Sequence, residues 1–159
     1  MKSRLVSAAA VSALALTPVI GFAGPASAAP FKCSVNQPKT FPTPGTDTRL
    51  TIYLCVEKEG ASSYSARAGV SYANGGGSMN KFDKLDIHVR LERYDVAQAG
   101  LVCNFYPIVN FGVSGSDIPC GPVIDNTTSP VTADGTVIYN IDGDGLGDFR
   151  WDLTGSPSL

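Results

Sequence analysis

The chain has 159 residues, 43% of them hydrophobic and only 16% charged, with 12 basic against 14 acidic side chains and a net charge of −2. So sparse and weakly acidic a surface excludes nucleic-acid binding, which requires clustered lysine and arginine to meet phosphate. The length suits one domain with a real core and excludes two large lobes.

Met1-Lys2-Ser3-Arg4, the uncharged run Leu5 to Leu16 and the small residues Ala26-Ser27-Ala28 read as a secretory signal peptide over 1–28. Cleavage after Ala28 leaves 131 residues with 10 basic and 14 acidic side chains. No other stretch approaches the roughly 18 consecutive apolar residues of a membrane span. Charge is uneven: residues 117–159 hold seven Asp and a single basic residue, Arg150. That skew fits either orientation on a partner or scattered solvated charge.

All four cysteines, Cys33, Cys55, Cys103 and Cys120, lie beyond the cut, and an even count in an exported chain implies two structural disulfides. Three pairings are open, and proximity in sequence favours Cys33–Cys55 with Cys103–Cys120. There is no C-x-x-C pair to form a zinc ribbon or a thioredoxin-type site.

Residues 29–48 carry Pro30, Pro38, Pro42 and Pro44 and are expected to form an extended arm, joined to a sheet only in part and pinned by Cys33. From Arg49 the period becomes two. Leu50, Ile52, Leu54 and Val56 share one face, as do Tyr64, Ala66, Ala68, Val70 and Tyr72, and then Leu85, Ile87, Val89 and Leu91. Strict alternation predicts strands with one buried and one wet face. Between the last two runs, Asn74-Gly75-Gly76-Gly77-Ser78 predicts a mobile hairpin loop flanked by Lys81 and Lys84.

Leu101 to Tyr106 predicts another strand. Residues 107–130 read as irregular yet apolar, so part must be strand or must cover the core. Thr136–Ile141 and Phe149–Leu153 predict the last two strands, with Trp151 as a core anchor. No window beyond the leader shows helical periodicity. The expected fold is all-β, an antiparallel β-sandwich of about seven strands with two disulfides, occupying residues 49–159 as one domain.

Candidate chemistry is thin. Asp142 to Asp148 places Asp at positions 1 and 3 and Gly147 at position 6 of a calcium-type loop, but Leu146 and Leu153 stand at positions 5 and 12. A glycine-rich turn is the better reading, so neither metal nor cofactor is expected. His88 is the only histidine and the only neutral-pH base for a hydrolase. The serine at Ser114 lacks a G-x-S-x-G setting, because Ser116 stands where the second glycine belongs. Scattered Asp pairs give no privileged glycosidase dyad.

What remains is recognition surface. Asn74, Gly75, Gly76, Gly77 and Ser78 with Lys81 and Lys84 would form a positive tip at one sandwich end. Tyr106 and Phe111 would form an apolar contact patch.

The alanine-rich leader, the stretch Phe82 to Arg93 and the ending Trp151 to Pro157 resemble small exported actinobacterial proteins. Among these are adaptor subunits of secreted umbrella-shaped toxin particles, which link a lectin-like subunit to a large repeat-containing toxin chain. The resemblance implies a non-catalytic adaptor whose partners are other secreted proteins, and it transfers no individual residue. An inhibitor of an extracellular hydrolase, presenting the Cys103–Cys120 segment, and a small hydrolase using His88 are the alternatives.

Overall fold

A computed structural model describes residues 29–76 and 80–159. The expected signal peptide, Gly77 and Ser78 lie outside the described residues.

Among the described residues, nine strands and one short helix follow in chain order: β1 (Phe31–Cys33), β2 (Gln37–Phe41), β3 (Thr48–Lys58), β4 (Ser63–Ala73), β5 (Phe82–Arg93), β6 (Val96–Asn104), α1 (Tyr106–Phe111), β7 (Ser114–Asn126), β8 (Thr132–Ile141) and β9 (Phe149–Asp152). They form two antiparallel sheets. One runs β1-β3-β4-β7, with β2 also pairing with β3; the other runs β6-β5-β8-β9. The alternating faces of β3, β4 and β5 meet between the sheets, where Leu50, Ile52, Leu54, Val70, Leu85, Ile87, Val89 and Leu91 are fully buried. Burying such side chains contributes about 1.5–3 kcal/mol each, so this interleaved layer dominates the stability.

Four expectations change. The described strands number nine because the extended arm over residues 29–48 supplies two of them: β1 lies opposite Cys55–Glu57 and β2 opposite Thr48–Ile52, together forming one interrupted edge, and Phe41 is buried in the core. The loop after β4 closes no hairpin, since β4 and β5 belong to different sheets and the chain crosses between layers there. Residues 106–111 are helical where no helix was expected, while the strand expected somewhere within 107–130 is 114–126, thirteen residues against β4. Trp151 is only partly buried, at the rim of the core.

Both disulfides pair neighbours in sequence. Cys33–Cys55 joins directly opposed residues of β1 and β3. Cys103–Cys120 links β6 to β7 and so ties the two sheets together along one side. Two formed disulfides are consistent with an oxidising, extracellular environment. The opposite side closes without a covalent link. Gln37 on β2 exchanges two hydrogen bonds with the Thr154 backbone, donating to its carbonyl at 2.9 Å and accepting from its N–H at 2.6 Å. Beside it the Lys39 ammonium sits 4.8 Å from the Tyr139 ring and 5.3 Å from that of Trp151. Among the described residues no helix is long and apolar enough to cross a membrane.

Candidate recognition site

The two surface regions singled out in the sequence, the loop after β4 and the segment around Phe111, converge on one end of the sandwich. The helix α1 is the centre of it. Pro107 stands in its first turn, where a missing N–H costs nothing, and Gly112 ends it, donating its N–H to Ile108 O at 3.0 Å. One and a half turns suffice to turn Phe105, Val109 and Asn110 inward and to leave Ile108 and Phe111 outward, Phe111 being 78% exposed. Val113, just beyond, is exposed as well.

Three buried polar side chains hold this backbone. Asn110 Oδ1 accepts from the N–H groups of Lys81 and Phe82, each at 3.0 Å, while Nδ2 donates to Phe82 O at 2.9 Å. Asn74 donates from Nδ2 to Val109 O and Gly112 O, at 2.7 and 2.6 Å, and its Oδ1 accepts from Gly76 N–H. The Asn74 N–H also donates to Val113 O at 3.0 Å. Tyr72 donates its hydroxyl to Ile108 O at 3.0 Å, and this approach requires glycine at 112: a Cβ there would stand 2.1 Å from the Tyr72 oxygen. Buried amides are retained where every donor and acceptor finds a partner, and Asn74 and Asn110 meet that condition.

A third segment is stitched to the same end. Lys81 is fully buried, and its ammonium donates to Pro44 O at 2.7 Å and to Thr46 O at 2.9 Å. Gly75, at φ 66°, passes so close to Thr46 that a Cβ would meet the threonine methyl at 2.5 Å.

The expected positive tip is therefore corrected. Asn74 and Lys81 are internal braces, since their polar groups bond backbone instead of water. Gly75 and Gly76 lie at the surface with positive φ, Gly75 the more exposed. Lys84 points elsewhere, to Asp148 of the β8–β9 loop at 2.6 Å, and that carboxylate raises its pKa. Tyr106 is half-buried against the core, and only Phe111 of the expected patch is fully presented. Ile108 and Val113 belong with Phe111. Asn110 and Tyr72 were missed as supports; Pro107 and Gly112, spaced as a helix start and stop, were the available signal.

The other candidates are placed as follows. His88 sits half-buried on the outer face of the four-stranded sheet, with Val102 and Thr136 as register partners, whereas Ser114 begins β7 in the other sheet. In the Asp142–Asp148 turn, Asp144 accepts from Leu146 N–H at 2.7 Å and Gly143 and Gly145 take positive φ. Among the described residues no three His, Cys, Asp or Glu side chains cluster as metal ligands would. The chain matches no protein-family model, no curated protein and no solved structure.

Proposed function

We propose that the protein is a secreted, non-catalytic protein-binding module, an adaptor in an extracellular assembly of the toxin type, which docks its partner through the sandwich end carrying Phe111. The observation behind this reading is the pairing of extreme exposure with a fixed backbone. Phe111 stands 78% exposed on a helix whose neighbouring carbonyls and amides are bonded to Asn74, Asn110 and Tyr72. A large aromatic held in water on an ordered frame loses little entropy when a partner covers it, and such anchors dominate protein interfaces. Ile108 and Val113 extend the apolar contact.

The test is affinity purification of a tagged copy from the native secretor's culture medium, run beside a Phe111→Ser variant. A near-stoichiometric companion retained by the native chain and lost, by about tenfold or more in affinity, from the variant is the expected result. Equal recovery by both proteins removes this end as the docking surface.

One observation favours inhibition of an extracellular hydrolase as a second reading: the Cys103–Cys120 bond brackets the segment that presents Phe111. Secreted proteases and amylases provide the assay. No slowing at micromolar protein excludes that reading.

A further inference from the structure

A sheet edge exposes unpaired N–H and C=O groups, and proteins ordinarily blunt it with charge, proline, bulges or a covering segment. Three of the four edge positions here are blunted. The β1–β2 edge is interrupted, contains Pro38, and is covered where Gln37 bonds Thr154 and Lys32 Nζ bonds Ser158 O at 2.7 Å. The β7 edge carries Pro119 and Pro122, and its pairing with β4 breaks register twice. The β9 edge is four residues long and bears Arg150 and Asp152.

The fourth, β6, differs. Its nine residues, Val-Ala-Gln-Ala-Gly-Leu-Val-Cys-Asn, include no charge and no proline. Among the described residues it pairs only with β5, and one bulge, opposite Leu91–Glu92, interrupts its first third; Ala99 to Asn104 is regular. Val102 is 55% exposed on its outer face.

We infer that β6 pairs antiparallel with β6 of a second copy, about a two-fold axis at Leu101, joining the two four-stranded sheets into one of eight. The occupant follows from the strand's own pattern. With Leu101 on the axis, Ala99 faces Cys103 of the other copy on the inner side and Gly100 faces Val102 on the outer side. Every residue thus keeps its face, as strand register demands. An uncharged strand carries nothing to select a foreign strand by charge, yet it meets its own copy without repulsion. The charged rows of β5, with Asp86, Arg90 and Glu92, are kept apart by the two uncharged strands. An isologous contact of this kind uses up the β6 edge of both copies, and the outer edges of the joined sheet are the two short, charged β9 strands. The inference rests on the β6 edge alone and is independent of docking at Phe111.

Sedimentation velocity on the purified protein over about 1–300 μM, the range suited to a small interface, should show a monomer–dimer equilibrium. Across the axis the two Val102 side chains become diagonal neighbours at about 7–8 Å, so like charges there repel. Val102→Lys and Val102→Glu, both at an exposed position, should each dimerise about two- to fivefold more weakly. An equimolar mixture of the two should dimerise again, because lysine then faces glutamate. A native protein that stays monomeric throughout the range overturns the pairing. So does a charged variant that dimerises as well as the native chain, or a mixture that stays monomeric. Hydrogen-exchange protection of β6 that appears only with another protein would also overturn it and give the edge to a foreign strand.

Discussion

The side chain of Asn110 pairs with the backbone of Phe82 as a neighbouring strand would: Phe82 N–H donates to Oδ1 at 3.0 Å, and Nδ2 donates to Phe82 O at 2.9 Å. One amide thereby completes the start of β5 and fixes the helix that carries it. Gln37 treats Thr154 in the same way on the far side of the sandwich. Where strand pairing runs out, amide side chains take its place.

Asn110→Leu should accordingly be among the most destabilising single changes. It fills similar space but leaves Lys81 N–H, Phe82 N–H and Phe82 O buried without partners, a cost of about 3–5 kcal/mol. Asn110→Asp in acid, where its carboxyl is protonated, keeps an acceptor and an O–H donor for Phe82 O, so under those conditions it should cost less than leucine, about 1–3 kcal/mol. Urea unfolding of both variants in acid checks the order. A smaller loss for leucine than for aspartate would show that the amide does not hold this junction.

Lys81 gives a second prediction. Its ammonium spans to the carbonyls of Pro44 and Thr46, so the turn before β3 depends on a residue more than thirty positions away. Lys81→Met keeps most of the stem and removes the donors, at a cost of about 1–3 kcal/mol. The loss should be local as well as global, with hydrogen exchange rising first in residues 43–48. Unchanged protection there would mean that the turn holds itself, through the Thr43–Thr48 hydroxyl pair at 2.9 Å.

Legibility in the sequence followed the physics of each element. Runs with one wet and one buried face, such as Leu85, Ile87, Val89 and Leu91, announced their strands and their inward faces. β6 was read short because an edge strand is exposed on more than one side, so Val96, Ala97 and Gln98 carry no alternation. β7 was obscured by its prolines and its two register shifts. The helix at 106–111 is too short for a 3.6-residue period to repeat. At the site, Phe111 was legible as an apolar residue in an unlikely place. Asn74 and Lys81 were misplaced for one shared reason: polarity predicts water, and only tertiary structure shows backbone groups waiting to be bonded.

The acidic side chains around the β8–β9 turn make opposite contributions with pH. Asp83 has its pKa raised from 3.8, first by desolvation, then by a hydrogen bond with Asp142 and by the negative charges of Asp142 and Asp144. Its folded form holds the proton more tightly than the unfolded chain, so stability present below pH 3.8 is lost as pH rises through the raised value. Asp152 is shifted down from 3.8, chiefly by its hydrogen bond from Arg150, and its contribution is present above 3.8 and lost as pH falls through the lowered value. Asp83→Asn should therefore raise Tm at neutral pH, with the gain vanishing in acid, while Asp152→Asn should lower Tm at neutral pH, with the loss vanishing in acid. Thermal melts of the two variants across the acid range decide it. Both carboxylates are solvent-exposed, so the shifts should shrink with added salt. A Tm gain for Asp83→Asn that persists unchanged in acid would trace to the asparagine itself and not to repulsion among Asp83, Asp142 and Asp144.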